Sequence, residues 1–308
     1  MNTYLLIDGH ALMHRAYHAL PPFKTKDGTP TNVIYGFFSI LHKALADFKP
    51  DHLIVCFDVK GPTFRKEIFK QYKATRKKAD DDFLVQIPLV KEGLNQAGIV
   101  YSEKPGFEAD DIIGTICHQL KNLGSKVLIL SGDKDILQLA GGNAYVISPQ
   151  IGYSKMIVYH QEEVEKKFGV KPWQMVDFKA LAGDQSDNYS GAKGIGPKTA
   201  AELINQFNNI ENIFEKIDEV KSEKIRSVLR QNKENILLAK KLAEINKKVE
   251  LKIDFESTKF ENFPEKFKDF LLRLEMYSLA NRFFKKKKNI ETKEEKKRAE
   301  EKQIGLFS

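Results

Sequence analysis

Three short stretches of the chain are continuously apolar: Tyr4-Leu5-Leu6-Ile7, Leu53-Ile54-Val55-Cys56-Phe57 and Val127-Leu128-Ile129-Leu130. Runs this short, without polar alternation, suit strands covered on both faces, as in a mainly parallel sheet between helical layers. The segments between them carry a helical period instead. Val33, Ile34, Phe37, Phe38, Leu41 and Leu45 share one face, as do Ile87, Val90 and Leu94, and then Ile112, Ile113, Ile116 and Leu120. Alternating strands and helices predict an α/β fold. Beyond about Tyr159 the strand pattern stops, and helical patterns follow through 171–181, 197–207, 233–245 and 264–277. The expected organisation is therefore an α/β domain over 1–158, a helical subdomain over 159–284 and a charged tail over 285–308. No internal repeat is present.

The polar residues that interrupt this pattern fall at particular places. Asp8 follows the first apolar run, Asp58 the second, and Asp133 closes the turn after the third. Parallel strands bring such residues to the carboxyl edge, where open α/β sheets bind ligands. Glu108, Asp110 and Asp111 in GFEADDIIG, Asp135 in SGDKD, and Asp184 and Asp187 in GDQSDN add three short acidic clusters. Singly, each has a structural explanation: acids favour helix N-termini, cap turns and solvate loops. Jointly, nine carboxylates in one pocket would repel strongly unless cations neutralised them. Oxygen donors without His or Cys favour Mg²⁺ or Mn²⁺ over Zn²⁺. Two such ions about 4 Å apart would clamp a phosphodiester for hydrolysis.

Charge placement changes the picture further. The net charge is +8, of which 60–78 holds +7 and 285–302 holds +4, so the remainder of the chain carries −3. Within the first basic segment Arg65, Tyr72, Lys73 and Arg76 interleave aromatics with cations at helix-like spacing, a pattern that grips single-stranded nucleic acid. A solvated helix face is the plainer explanation, weakened by the mutual repulsion of so many lysines. Cys56 and Cys117 are isolated and read as free core thiols in a reducing compartment. With no run near 18 apolar residues and no signal peptide, the expectation is a cytoplasmic, nucleoid-associated monomer with no membrane partner.

The stretch GAKGIGPKT places Pro197 where a nucleotide P-loop needs its lysine, and no apolar strand precedes it, so ATP binding is rejected. The alternative is a helix-hairpin-helix over about 174–207, with Pro197 opening its second helix and exposed backbone N–H groups meeting phosphate. Gly191, Lys193, Gly194, Gly196, Lys198 and Thr199 would form this sequence-insensitive grip. A tight αα-hairpin that needs glycine only for its backbone angles remains the simpler reading.

These residues, taken together, resemble a known family. DGHALMHRAYHAL, FDVKGPTFRKE, YKATR, GFEADDIIG, SGDKDILQL and GDQSDNYSGAKGIGPKTA look like the motifs of the bacterial 5′ nucleases, the N-terminal domain of DNA polymerase I and its free-standing relatives, akin to flap endonucleases. The resemblance runs from Tyr4 to about Phe284. It implies a PIN-like fold with a helical arch over about 60–88 and a two-metal 5′-3′ exonuclease and flap endonuclease. Its substrates would be DNA with 5′ flaps, nicks or single-stranded 5′ ends, and RNA–DNA hybrids such as primers. By the same resemblance all nine acids are metal ligands, Lys73 and Arg76 are catalytic arch cations, Tyr72 is a stacking aromatic, and K⁺ sits at the helix-hairpin-helix. Ser190 departs from the family, where proline is usual.

Two features stay outside this frame. His10, His14 and His18 recur every four residues on the first helix and receive no role. The terminal QIGLF, with Gln303, Leu306 and Phe307, resembles a sliding-clamp peptide, although Gly305 departs from it. Two other readings compete with the nuclease: a non-catalytic binder of branched DNA, which would have no reason to keep so many repelling acids, and a PIN-type ribonuclease, which would lack the helix-hairpin-helix.

Overall fold

The computed structural model describes residues 1–150 and 155–284; the tail and its QIGLF peptide lie outside the described residues. The three apolar runs form β1 (Thr3–Asp8), β2 (His52–Phe57) and β4 (Lys126–Leu130), joined by β3 (Val100–Glu103), β5 (Ala144–Pro149) and β6 (Met156–Tyr159). The sheet order is β3-β2-β1-β4-β5-β6, parallel throughout except for β6, which runs antiparallel to β5.

Strand alternation sorts the core into two layers. Leu6, Ile54, Cys56, Val127 and Ile129 face α6 (Ala109–Asn122) and the helical half of the chain. Leu5, Ile7, Val55, Phe57 and Leu130 face α1 (Gly9–Ala19), α2 (Asn32–Phe48) and α5 (Gln86–Ala97). The helical half begins with α7 (Gln161–Phe168) and continues through α8 (Met175–Ala182), α9 (Pro197–Phe207), α10 (Ile210–Glu215), α11 (Glu223–Gln231) and α12 (Lys233–Ala243). Finally α13 (Glu265–Arg273) and α14 (Tyr277–Phe284) return to the opposite layer, where Phe267, Phe270 and Leu271 pack with Phe38. Among the described residues no helix is long and apolar enough to cross a membrane.

Two predicted helices are shorter than their periodicity. The 171–181 pattern opens with a 3-10 turn at Pro172–Gln174 before α8 begins. The 264–277 pattern breaks between α13 and α14, where Glu275 takes a left-handed φ of 57°.

The basic segment departs further from expectation. Instead of a helical arch it forms α3 (Phe64–Ile68), a series of turns, and α4 (Asp81–Leu84). Lys66, Lys70, Lys73 and Lys77 would line one side of a continuous helix with Glu67 as the nearest acid, and like charges at that spacing disfavour it.

Candidate active site

Each acid is delivered by a strand end or a helix start. Asp8 ends β1 and caps α1, accepting from Ala11 N at 2.9 Å, while its other oxygen accepts the Ser131 hydroxyl at 2.9 Å. Ser131 in turn accepts Asp133 N at 3.0 Å, which ties the turn after β4 to the end of β1. Asp58, just beyond β2, accepts Ala109 N at 2.7 Å and so anchors the N-terminus of α6. His10 receives Asp58 N at 3.1 Å on its Nδ1 and fixes that loop from the α1 side. Asp110 follows from the first turn of α6.

Asp8, Asp110 and Asp133 crowd one another. The Asp8 carboxyl is pushed up to about 7, by burial first and then by the charges of Asp58 and Asp133. Burial raises Asp110 well above the carboxylate range, reinforced by Asp133 and Asp8. Asp133 is also raised by burial, with Lys179 opposing and Asp187 adding to the rise.

The remaining acids are held by cations. Lys179, projecting from α8, pairs with Asp135 and lies 2.6 Å from Asp184. Asp184 also accepts from Ser186 N at 2.8 Å and Ser186 Oγ at 2.6 Å. Burial works against it, but Lys179 and these hydrogen bonds hold its pKa down at about 2. Asp187 accepts from Arg76 at 2.6 Å and from the Tyr72 hydroxyl at 2.9 Å. Lys73 sits 3.0 Å from Glu108 and 4.0 Å from Asp187, on a backbone with a left-handed φ of 54°. Such a conformation for a lysine costs on the order of 1 kcal/mol and persists only where its surroundings impose it. Here the Lys73 N–H donates to Asp187 O at 2.9 Å.

Three sequence expectations need correction. Asp111 is fully buried and receives Arg65 through two bonds of 2.7 and 2.8 Å, Asn246 N at 2.8 Å and Glu108 N at 3.1 Å, which fills its acceptor sites and takes it out of the metal set. Arg65 is no DNA contact, since it is 2 % exposed and its remaining donors go to Leu242 O, Glu244 O and the Glu108 carboxylate. Tyr72, 3 % exposed, offers no stacking face, and its hydroxyl bridges Glu108 and Asp187. Among the described residues no three His, Cys, Asp or Glu side chains close into a ready-made metal cage.

The glycine turn lies between α8 and α9. A Cβ on Gly191 would meet Leu181 O at 2.2 Å, so only glycine lets the loop close against α8. Gly196 faces open space, and Lys193, Gly194 and Lys198 are exposed around it, which leaves the start of α9 open to a backbone phosphate. At Ser190, Asn235 holds the loop by donating to Ser190 O at 3.1 Å and Gly191 O at 2.8 Å. Lys179, Ser131 and Asn235 were missed in sequence, and His10 stood out there only as part of a histidine stripe without a role. Their partners lie mostly far away in the chain; Lys179, five residues before Asp184, alone left a local trace as a cation facing an acid-rich loop.

The sheet order and its acid-lined carboxyl edge define a PIN-like, resolvase-type domain with a helical partner. A model of the 5′-3′ exonuclease N-terminal resolvase-like domain matches residues 3–169, and one of the 5′-3′ exonuclease C-terminal SAM fold matches residues 170–266. The chain belongs to the 5′-3′ exonuclease family. It is 39% identical over 281 residues to the 5′-3′ exonuclease of Aquifex aeolicus, covering 91% of this chain and 94% of that protein. To DNA polymerase I of Bacillus caldotenax it is 42% identical over 252 residues, 81% of this chain but 29% of the polymerase. It spans about a third or less of the polymerase I relatives' length. Among solved structures, the T5 5′-exonuclease with divalent metal ions (zinc) bound superposes with a TM-score of 0.67 at 20% identity, over 92% of this chain and 97% of that one. The catalytic core of Rad2 in complex with DNA substrate gives 0.59 at 18% identity, over 92% and 91%. At such identities the likeness bears on the fold.

The raised acids give a signed pH dependence. A carboxyl whose folded pKa lies above its unfolded value contributes stability that is complete below about pH 4 and lost as pH rises toward 7, up to about 4 kcal/mol for Asp8. Asp184 acts oppositely, its contribution being lost only as pH falls below about 4 toward 2. In EDTA the urea midpoint is therefore expected to fall between pH 5 and 7.5, and millimolar Mg²⁺ is expected to restore much of it at the upper end. A midpoint indifferent to Mg²⁺ would leave these acids without a cation to hold.

Proposed function

We propose that the chain is a divalent-metal-dependent 5′-3′ exonuclease and structure-specific 5′ flap endonuclease acting on DNA and on RNA primers. The observation that carries this reading is the convergence of three mutually repelling acids, the buried Asp8 and the half-buried Asp110 and Asp133, at the carboxyl edge of the sheet. An all-oxygen donor set in which Asp8, Asp110 and Asp133 are raised by desolvation and then by mutual repulsion fits hard ions such as Mg²⁺ or Mn²⁺, with Asp58, Glu108, Asp135, Asp184 and Asp187 as further oxygen donors. Bound there, such ions supply the activated water and the stabilisation of a leaving oxygen that phosphodiester hydrolysis needs.

The chain's own residues do the rest. Lys73 keeps its ammonium charged, since burial lowers its pKa but Glu108 and Asp187 more than offset that. It lies beside the acids, where a scissile phosphate would take it over from Glu108. Arg76, with its side chain about half exposed, reaches from the rim toward the entering strand. The glycine turn grips the duplex backbone some distance away, and K⁺ at that turn belongs to the same proposal.

The deciding assay is cleavage of 5′-labelled flap, nicked and blunt DNA with and without Mg²⁺. Metal-dependent cutting near the flap junction supports the reading; tight binding of branched DNA without cutting in either Mg²⁺ or Mn²⁺ replaces it with a non-catalytic binder. Lys73→Ala is expected to slow single-turnover cleavage about 100-fold while duplex affinity changes less than threefold. Equal losses in both would reduce Lys73 to an attachment point.

A further inference from the structure

On the side of the molecule away from the acids, a cavity of about 320 Å³ opens between α6, the turn that precedes β5 and the segment after α12. Its wall carries His118, Lys121 and Lys247, while no carboxylate lines it. At its mouth stands Trp173, the chain's single tryptophan, 56 % exposed, with the Lys171 ammonium 5.4 Å from its ring centre. The floor is well built. Gln138 donates to Ala243 O at 3.0 Å and accepts Ile245 N at 3.0 Å, and Gly114 has no Cβ because one would lie 2.4 Å from Ile245. The Lys247 segment is thus seated directly on α6.

A large exposed aromatic beside a cluster of cations, with room for a small molecule, is a combination neither core packing nor solubility calls for. The aromatic offers a stacking face, and the ammonium groups offer charge to a phosphate. We propose that this cavity binds one nucleotide, its base against Trp173 and its phosphate between Lys121 and Lys247. Cys117, 8 % exposed, lines the same wall. Burial pushes its thiol up to about 11 while Lys247 and Lys121 pull the other way, which places both charges within reach of the cavity. The site stands apart from the acid cleft and does not depend on what happens there.

The test uses the fluorescence of Trp173 in the whole chain, titrated with dAMP, deoxyadenosine and inorganic phosphate. The expected result is a saturable change with dAMP at a concentration at least tenfold below that needed with either half alone. The double variant Lys121→Ala/Lys247→Ala, on exposed positions, is expected to weaken dAMP at least tenfold and leave cleavage of flap DNA unchanged. dAMP should also slow labelling of Cys117, the thiol with any exposure, since Cys56 is fully buried. Saturation by a short single-stranded oligonucleotide below the dAMP concentration assigns the nucleotide to a strand, and saturation by dAMP alone assigns it to a free molecule. A linear, unsaturating change with all of these, or a dAMP response identical in the double variant, overturns the proposal. Because the readout is binding, it stands or falls separately from the nuclease reading.

Discussion

Replacing Asp110 or Asp8 by asparagine is expected to lower Mg²⁺-dependent flap cleavage by about 10³-fold or more, with flap affinity in Ca²⁺ unchanged or improved. Both substitutions keep shape and remove one negative charge. In the folded chain each of these acids is desolvated and faces other acids, so the charge is retained against its own local stability. The same variants should therefore unfold at higher urea than the unaltered protein in EDTA, and lose the stabilisation that Mg²⁺ provides. A residue kept for folding would show the reverse, lost stability with activity falling only in proportion. The pairing of lost turnover with gained metal-free stability separates the two cases. Near-normal cutting in Mg²⁺ by Asp110→Asn would remove the acid cluster from the chemistry.

The acids at the strand ends were legible because a buried parallel strand announces itself as an unbroken apolar run, and the next polar residue then marks the sheet edge. The strands that sequence missed lack that contrast. β3 reads VYSE, half polar, β5 reads AYVISP with its apolar run broken by Tyr145 and Ser148, and β6 is an antiparallel edge strand of four residues. Helix faces were legible where an apolar stripe packs on the sheet, as in α2 and α6, but their breaks depended on local backbone geometry at Pro172 and Glu275. The sorting of charges was not legible at all. Composition placed eight cations between Lys60 and Lys78 without saying which one would turn inward. That choice is made by partners more than 40 residues away, Glu108 and Asp111, and by carbonyls at the end of α12. Asp111, in the first turn of α6 beside two other acids, Glu108 and Asp110, was the one hint that some cation had to come to it.

Arg65→Leu is expected to cost about 3–5 kcal/mol in stability, because it leaves the Asp111 carboxylate buried without its cation. The guanidinium makes two bonds to Asp111 and donates to Leu242 O at 2.9 Å and Glu244 O at 2.7 Å, so a single side chain joins α3, α6 and the end of α12. Burial works against its charge, yet the hydrogen bonds and charge of Asp111, with Glu108, hold it protonated above its ordinary range. Arg65→Lys should recover little, since an ammonium cannot span the carboxylate and two carbonyls at once. Arg65→Met combined with Asp111→Leu should destabilise less than either single change, as expected when the loss comes from an uncompensated buried charge. Urea midpoints for these variants and the two single changes measure this directly. If Arg65 instead held DNA, Arg65→Leu would leave the midpoint in place and weaken duplex binding with a smaller salt dependence. The buried fork and its saturated partners predict the opposite: a folding defect first, and a loss of cleavage that follows the unfolded fraction.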